Sequence, residues 1–234
     1  MMSYIFLQDA AEQVVANTFT SPLVTNETSL SIWDLAIKGG PLMIPLGLLS
    51  LIAIYIFMER WWAIRRASHI DMNFMNNIKN YIYSHKIHAA LDLCDRTDTP
   101  VARLIKKGIE RIGRPLSDVQ TAVENVGTLE IAKLERGLPM LAATAGGAPM
   151  IGFLGTVIGM VQAFYNMAQA GSNIDITLLS GGIYVAMVTT IAGLIVGVIA
   201  YFAYNYLTSR ISNILYKMES NTIEFMDLLN EPVR

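Results

Sequence analysis

Apolar positions in this chain gather into three long uncharged blocks, and the charged positions fall almost entirely between and after them. The first block runs from Gly39 to Met58. At about 1.5 Å per helical residue it matches a hydrocarbon core of about 30 Å, so it predicts a first transmembrane helix within residues 38–60. Gly39, Gly40, Pro41 and Pro45 predict a bent or interfacial start. Glu59, Arg60, Trp61 and Trp62, followed by Arg65 and Arg66, form the aromatic and cationic belt of a helix end at an interface.

Between Arg136 and Arg210 the only ionisable acid or base among Asp, Glu, Lys, Arg and His is Asp175. The blocks on either side of it, Gly137 to Ile174 and Ile176 to Ser209, are each too long for one perpendicular crossing. Each predicts one helix that projects beyond the bilayer, with spans at 139–168 and 178–208. Gly171, Ser172 and Asn173 mark the loop at 169–177. The resulting class is an all-α integral membrane protein with three spans, the second and third extending into the cytoplasm.

The segment 61–138 reads as a helical insertion. Thr99 and Pro100 suit a cap and first helical position. Ser117 and Gln120 have the spacing of a capping box after Pro115, and Val119, Val123, Val126, Ile131 and Leu134 follow at near-helical intervals. No strong stop precedes Gly137 and Pro139, so this helix is expected to run into the second span. In the tail, 209–234, Ile211, Leu215, Met218, Ile223 and Leu228 predict a partly amphipathic extension of the third span. Residues 1–37 have no basic n-region, continuous apolar core or cleavage site of a signal peptide; Ile5, Phe6, Leu7, Val14, Val15 and Phe19 suit a short helix on the membrane surface.

Charge adds orientation. The chain of 234 residues is 53 % hydrophobic and 15 % charged, with 17 Lys and Arg against 19 Asp and Glu. A net charge of −2 marks no nucleic-acid binder. Every cation except Lys38 lies between Arg60 and Arg136 or after Ser209. The positive-inside rule therefore predicts a cytoplasmic insertion and carboxyl terminus and a periplasmic amino terminus.

Candidate chemistry is sparse. His69, His85 and His88 are the only histidines, all in the insertion, so no serine–histidine or zinc-protease site can be built within the membrane. The Gly-rich run at Gly146 and Gly147 lacks the Lys-Ser/Thr of a phosphate loop. His85, His88, Asp92 and Cys94 match no strong zinc spacing and read as a solvated helix face, and the single cysteine allows no intrachain disulfide. No enzyme, metal or cofactor is expected.

Small residues carry the remaining signal. Gly152, Thr156, Gly159 and Ala163 form one helical stripe, with Gly155 and Gly159 as a GxxxG pair; Ala186, Thr190, Gly193, Gly197 and Ala200 form another, with Gly193 and Gly197 as its pair. One reading is helix packing alone, the hydroxyls bonding one turn back. The other places Thr156 and Thr190 toward a shared ion path, since a hydroxyl both donates and accepts. A proton path in a dry interior needs a titratable group; if this chain conducts protons, another subunit must supply it.

The run Ala148-Pro-Met-Ile-Gly-Phe-Leu-Gly-Thr-Val-Ile-Gly-Met160, followed by Gly182, Ile183, Ala186, Thr190, Gly193 and Leu194, closely resembles the MotA/TolQ/ExbB proton-channel family. Gly39-Gly40-Pro41, Met43, Pro45-Leu46, Ser50 and Glu59-Arg60 resemble the first span of its ExbB-like branch, so the likeness covers residues 39 to about 210. The resemblance implies a homopentamer in the bacterial inner membrane around an ExbD-like single-span partner that supplies a membrane aspartate. Proton flow would then drive work on a TonB-like protein for outer-membrane uptake. Thr156 and Thr190 match the pore-side threonines by motif. Many relatives read Gly-Ile-x-Glu-Ala where this chain has Gly182-Ile183-Tyr184-Val185-Ala186, which leaves the partner's acid alone; Thr189 and Tyr184 are possible polar substitutes. Alternatives are a TolQ-like, gliding or flagellar stator subunit, or a non-conducting scaffold whose stripes only pack.

Overall fold

The structure is a computed structural model that describes residues 39–68, 73–170 and 176–230. The proposed surface helix at the amino terminus and the centre of the loop after Ala170 lie outside these residues. All seven elements among the described residues are α-helices: α1 (Met43–Ala67), α2 (Phe74–Tyr83), α3 (Ile87–Thr97), α4 (Pro100–Ile109), α5 (Leu116–Glu135), α6 (Leu138–Ala170) and α7 (Ile176–Asn230). Helices α1, α6 and α7 are long and apolar enough to cross a membrane. At about 1.5 Å per residue α7 is about 83 Å long, nearly three times a hydrocarbon core of about 30 Å. Its outer half must therefore stand in water.

Local chemistry explains most boundaries. Pro45 falls in the first turn of α1, where its missing N–H would have no partner in any case, so the helix begins at Met43 after a turn at Gly40. Thr99 caps α4: its hydroxyl accepts from the Ala102 N–H at 3.3 Å, and Pro100 follows as first helical residue.

Two expectations need correction. Ser117 and Gln120 form no capping box. Pro115, with its extended ψ of 141°, starts α5 two residues earlier, at Leu116; Ser117 falls inside the first turn and Gln120 donates instead to Glu124 at 2.8 Å. Nor does that helix run unbroken into the second span. Arg136 leaves the helical region and Gly137 takes φ +87°, a conformation that a side chain would strain; Gly137 then accepts the first amide bonds of α6 through its carbonyl. Pro139 has no N–H with which to continue the ladder back to Glu135. Arg60 closes the break from outside: its guanidinium donates to the Lys133 carbonyl at 3.1 Å, at the carboxyl end of α5 where a cation is favoured.

The charged ends of α1, α5 and α7 share a core with α2–α4. Ile78, Ala90, Val101, Ile105, Val123, Ile214, Met218 and Phe225 are buried there, and the Phe225 ring fills the space left by Gly108. On the extension of α7, Ile211, Met218 and Leu228 face inward as the spacing predicts, but Ile223 is exposed and Phe225 takes the inward position. Cys94 is sealed in this core, where burial, and then Asp95, push its thiol up to about 12. His85, His88 and Asp92 are exposed around it, and no three His, Cys, Asp or Glu side chains converge among the described residues.

One ion group is built into this core. Glu130, only 4 % exposed, receives Arg103 at 2.6 Å and Lys133 at 2.7 Å. Burial alone would raise its pKa, but the two hydrogen-bonded cations outweigh burial and hold the carboxyl below its ordinary value of 4.5. Arg103→Met leaves a buried carboxylate with one exposed partner and is expected to lower stability by about 3 kcal/mol. A depressed carboxylate pKa contributes stability above its unfolded value and loses it as pH falls through the folded value. The gap in unfolding temperature between wild type and Arg103→Met should therefore be full at neutral pH and narrow below about pH 4.

Candidate functional site

The apolar parts of α6 and α7 run antiparallel and pack along a seam of small residues. Ala148, Gly152, Gly155, Gly159 and Ala163 are buried on α6; Ala186, Thr189, Gly193 and Gly197 are buried on α7. Backbone meets backbone here. A Cβ added to Gly193 would lie 2.6 Å from the Ala148 carbonyl oxygen and 2.9 Å from the Gly152 Cα. One at Gly152 would lie 3.0 Å from the Thr189 carbonyl oxygen, and one at Gly159 would lie 2.9 Å from the Ala186 Cβ. With lipid tails as apolar as leucine, such close approach is what holds two membrane helices together.

Pro149 sits inside α6 and leaves the Ala145 carbonyl without its usual amide donor. Gly197 comes up against that turn: an added Cβ would meet the Pro149 ring and lie 3.1 Å from the Ala145 oxygen. A proline in this span is tolerated because a glycine on the neighbouring helix takes the irregular surface.

The threonines divide between the two edges of the seam. Thr189 is 1 % exposed, donates to the Ala186 carbonyl at 2.9 Å and fills the space opposite Gly155. Thr190 lies half-buried on the other edge, where its hydroxyl is within 3.1 Å of the Gly152 carbonyl across the seam and 3.3 Å of Ala186 in its own helix. Thr156 is one turn beyond Gly152 and also half-buried; its hydroxyl donates to the Phe153 carbonyl at 2.6 Å. At about 100° per residue Thr156 and Thr190 fall on the same edge, which faces out of the two-helix unit. Both oxygens keep lone pairs for a further donor.

Tyr184, two residues from Gly182 and from Ala186, projects from the opposite side of α7. Val185 lies against the start of α1, its Cγ1 3.9 Å from where a Gly40 Cβ would stand. Thr156 and Thr190 are thus brought together, whereas Thr189 is enclosed within the helix pair and Tyr184 is turned away. Gly182 and Ala148 belong to the seam and were absent from the stripes. Extending each by one step of four residues finds them, since a Gly182 Cβ would be 2.9 Å from the Gly159 oxygen and Ala148 is fully buried.

Around the seam the outward faces of both spans are apolar: Phe153, Leu154, Val157, Val161, Ile191, Leu194 and Ile195 are all exposed. Among the described residues no acid or base lies on α6 or on α7 before Arg210. The arrangement can pack tightly and offer hydroxyls, with no Asp, Glu, Lys, Arg or His among the described residues of these spans to take up a proton from them.

The MotA/TolQ/ExbB proton channel family matches residues 96–220, just over half of the chain. A biopolymer transport protein ExbB homolog of Methanothermobacter thermautotrophicus is 32 % identical over 176 residues, 74 % of this chain and 62 % of that protein, so the match spans less than two thirds of its length. An ExbB-like protein of Synechocystis is 27 % identical over 81 % of this chain and 75 % of its own length. The Tol-Pal system protein TolQ of Pseudomonas aeruginosa is 26 % identical over 91 % of this chain and 97 % of its own.

Proposed function

The chain belongs to the MotA/TolQ/ExbB proton channel family, and from that premise we propose that it is the ExbB-like subunit of a proton-driven motor in a bacterial inner membrane. It assembles as a homopentamer around an ExbD-like single-span partner, and the motor works on a TonB-like protein for outer-membrane uptake. Its amino terminus is periplasmic, and the charged core and the extension of α7 are cytoplasmic, a reading that the distribution of cations supports. It has no enzymatic activity of its own and needs no cofactor.

One observation carries this reading. The Thr156 and Thr190 hydroxyls share an outward edge of a glycine seam that holds no titratable group. Hydroxyls relay a proton only when a group that can gain and lose one is beside them, and in this chain position 185, one residue before Ala186 of the seam, is a valine. A partner aspartate reaching that edge completes the path.

Mass spectrometry of the complex extracted gently from its own membrane tests the assembly: five copies of this chain with a single-span protein carrying one membrane Asp are expected. A monomer without such a companion would overturn the reading. The full-length match to TolQ favours a second reading, a subunit of an envelope-maintenance motor. Deleting the gene separates them. Loss of energised uptake supports the first, and defective division or outer-membrane leakage with normal uptake supports the second.

A further inference from the structure

Toward their charged ends α1 and α7 face each other beside the start of α6. A crevice of about 380 Å³ opens between them, lined by Ala53, Phe57, Leu141, Val196, Ala200 and Ala203 with almost no polar surface. A second hollow of about 220 Å³ opens at the next level along both helices, lined by Trp61, Arg65, Ser68, Tyr206 and Arg210. Tyr206 borders both.

Position and charge select the occupant. The apolar crevice lies on the last uncharged turns of both spans, and the second hollow begins where the first cations of each helix appear. Arg65 lies 5.4 Å over the Trp61 ring and Arg210 5.2 Å over the Tyr206 ring, with the Arg210 Nε 3.3 Å from the Tyr206 hydroxyl. Among the described residues neither guanidinium forms an ion pair, although Arg60 and Arg66, on the same helix as Arg65, both do. Two aromatic-backed arginines with no carboxylate partner among the described residues thus lie where the uncharged turns end, the level expected for lipid headgroups, directly beside an apolar crevice.

We propose that this crevice holds one anionic diacyl phospholipid, an acyl chain lying between α1 and α7 and the phosphate held by Arg65 and Arg210. A zwitterionic lipid would place its own cation near the same arginines and bind less well. The site needs no partner protein and does not depend on which motor the chain serves.

The test uses the complex stripped of lipid and transferred to phosphatidylcholine nanodiscs, titrated with phosphatidylglycerol, with phosphatidylcholine of the same chain length, or with inorganic phosphate. The readouts are bound lipid by native mass spectrometry and unfolding temperature. Phosphatidylglycerol is expected to bind and raise the unfolding temperature where the other two do not. The Arg65→Gln/Arg210→Gln double variant should weaken it about thirty-fold, as for two basic contacts to an anionic lipid surface. Arg65→Lys/Arg210→Lys, which keeps the charge, should retain most of it. Ala203→Phe, which fills the crevice, should weaken binding with both arginines intact. Equal binding of the two lipids by wild type overturns the proposal, whatever the folding of the variants. So does an equal response to inorganic phosphate, or a Ser50→Cys cross-link to another copy of the chain showing the crevice closed by a subunit contact.

Discussion

Gly155→Leu is expected to abolish assembly. The space opposite Gly155 is already filled by Thr189: an added Cβ would fall 2.7 Å from the Thr189 Cβ and overlap its hydroxyl, before three further carbons are placed. Thr189 cannot swing aside, being 1 % exposed and bonded to its own helix. The helices must therefore separate, and separation is costly along the whole seam, because Gly152 and Gly193 hold each other at backbone distance. Overpacking a core costs about 1–3 kcal/mol where side chains can yield; here backbone faces backbone, and the cost is expected at or above the top of that range. Gel filtration after detergent extraction should give aggregate or monomer for Gly155→Leu, a reduced yield for Gly155→Ala, and normal complex for Val161→Leu, whose site is 63 % exposed. Normal assembly of the leucine variant would mean that the seam does not hold the helices together.

Thr156→Val is expected to give the opposite phenotype, intact assembly with proton-coupled work lost. Valine keeps the shape of threonine, and the bond that disappears is a local one to the Phe153 carbonyl in the same helix, so the seam is not disturbed. What is removed is a hydroxyl with free lone pairs on the outward edge that it shares with Thr190. Proton flux in vesicles containing the complex, together with energised uptake in cells, should fall by more than tenfold, the scale on which positioned proton-transfer groups act. Thr156→Ser, which restores the hydroxyl, should recover most of it. Wild-type flux in the valine variant would take Thr156 out of the path and leave packing as its role. Thr189→Val, which removes the hydroxyl at near-constant shape, should have little effect on flux, because that hydroxyl is enclosed between α6 and α7.

The membrane class and the three spans were legible because they depend on long uncharged windows, and no folding decision can change the composition of a window. The GxxxG pairs were legible for the same reason: small residues four apart fall on one face of any helix. Ser117 and Gln120 misled because a capping box is also a spacing that occurs inside helices, and Pro115 decided the start through its own backbone. Nothing before Gly137 and Pro139 reads as a strong stop, and only the Gly137 φ of +87°, together with Arg60 arriving from α1, makes the break there. Ile223 fitted an apolar stripe and is exposed, since the core around Gly108 accommodates the Phe225 ring instead.

By itself, the amino-acid sequence determined where this chain can cross a bilayer, which faces of its helices can approach closely, and that α6 and the membrane part of α7 contain no Asp, Glu, Lys, Arg or His. These follow from residue type and the helical repeat, which are local properties. Which edge of a seam each threonine occupies, which arginines find carboxylates, and where two spans leave a crevice were decided only in three dimensions. Each depends on which side chain from a distant segment arrives first at a given place. Thr189 and Thr190 are adjacent in sequence and alike in chemistry; opposite them on α6, Gly155 encloses one side chain, and the Gly152 carbonyl meets the other hydroxyl at the half-buried edge.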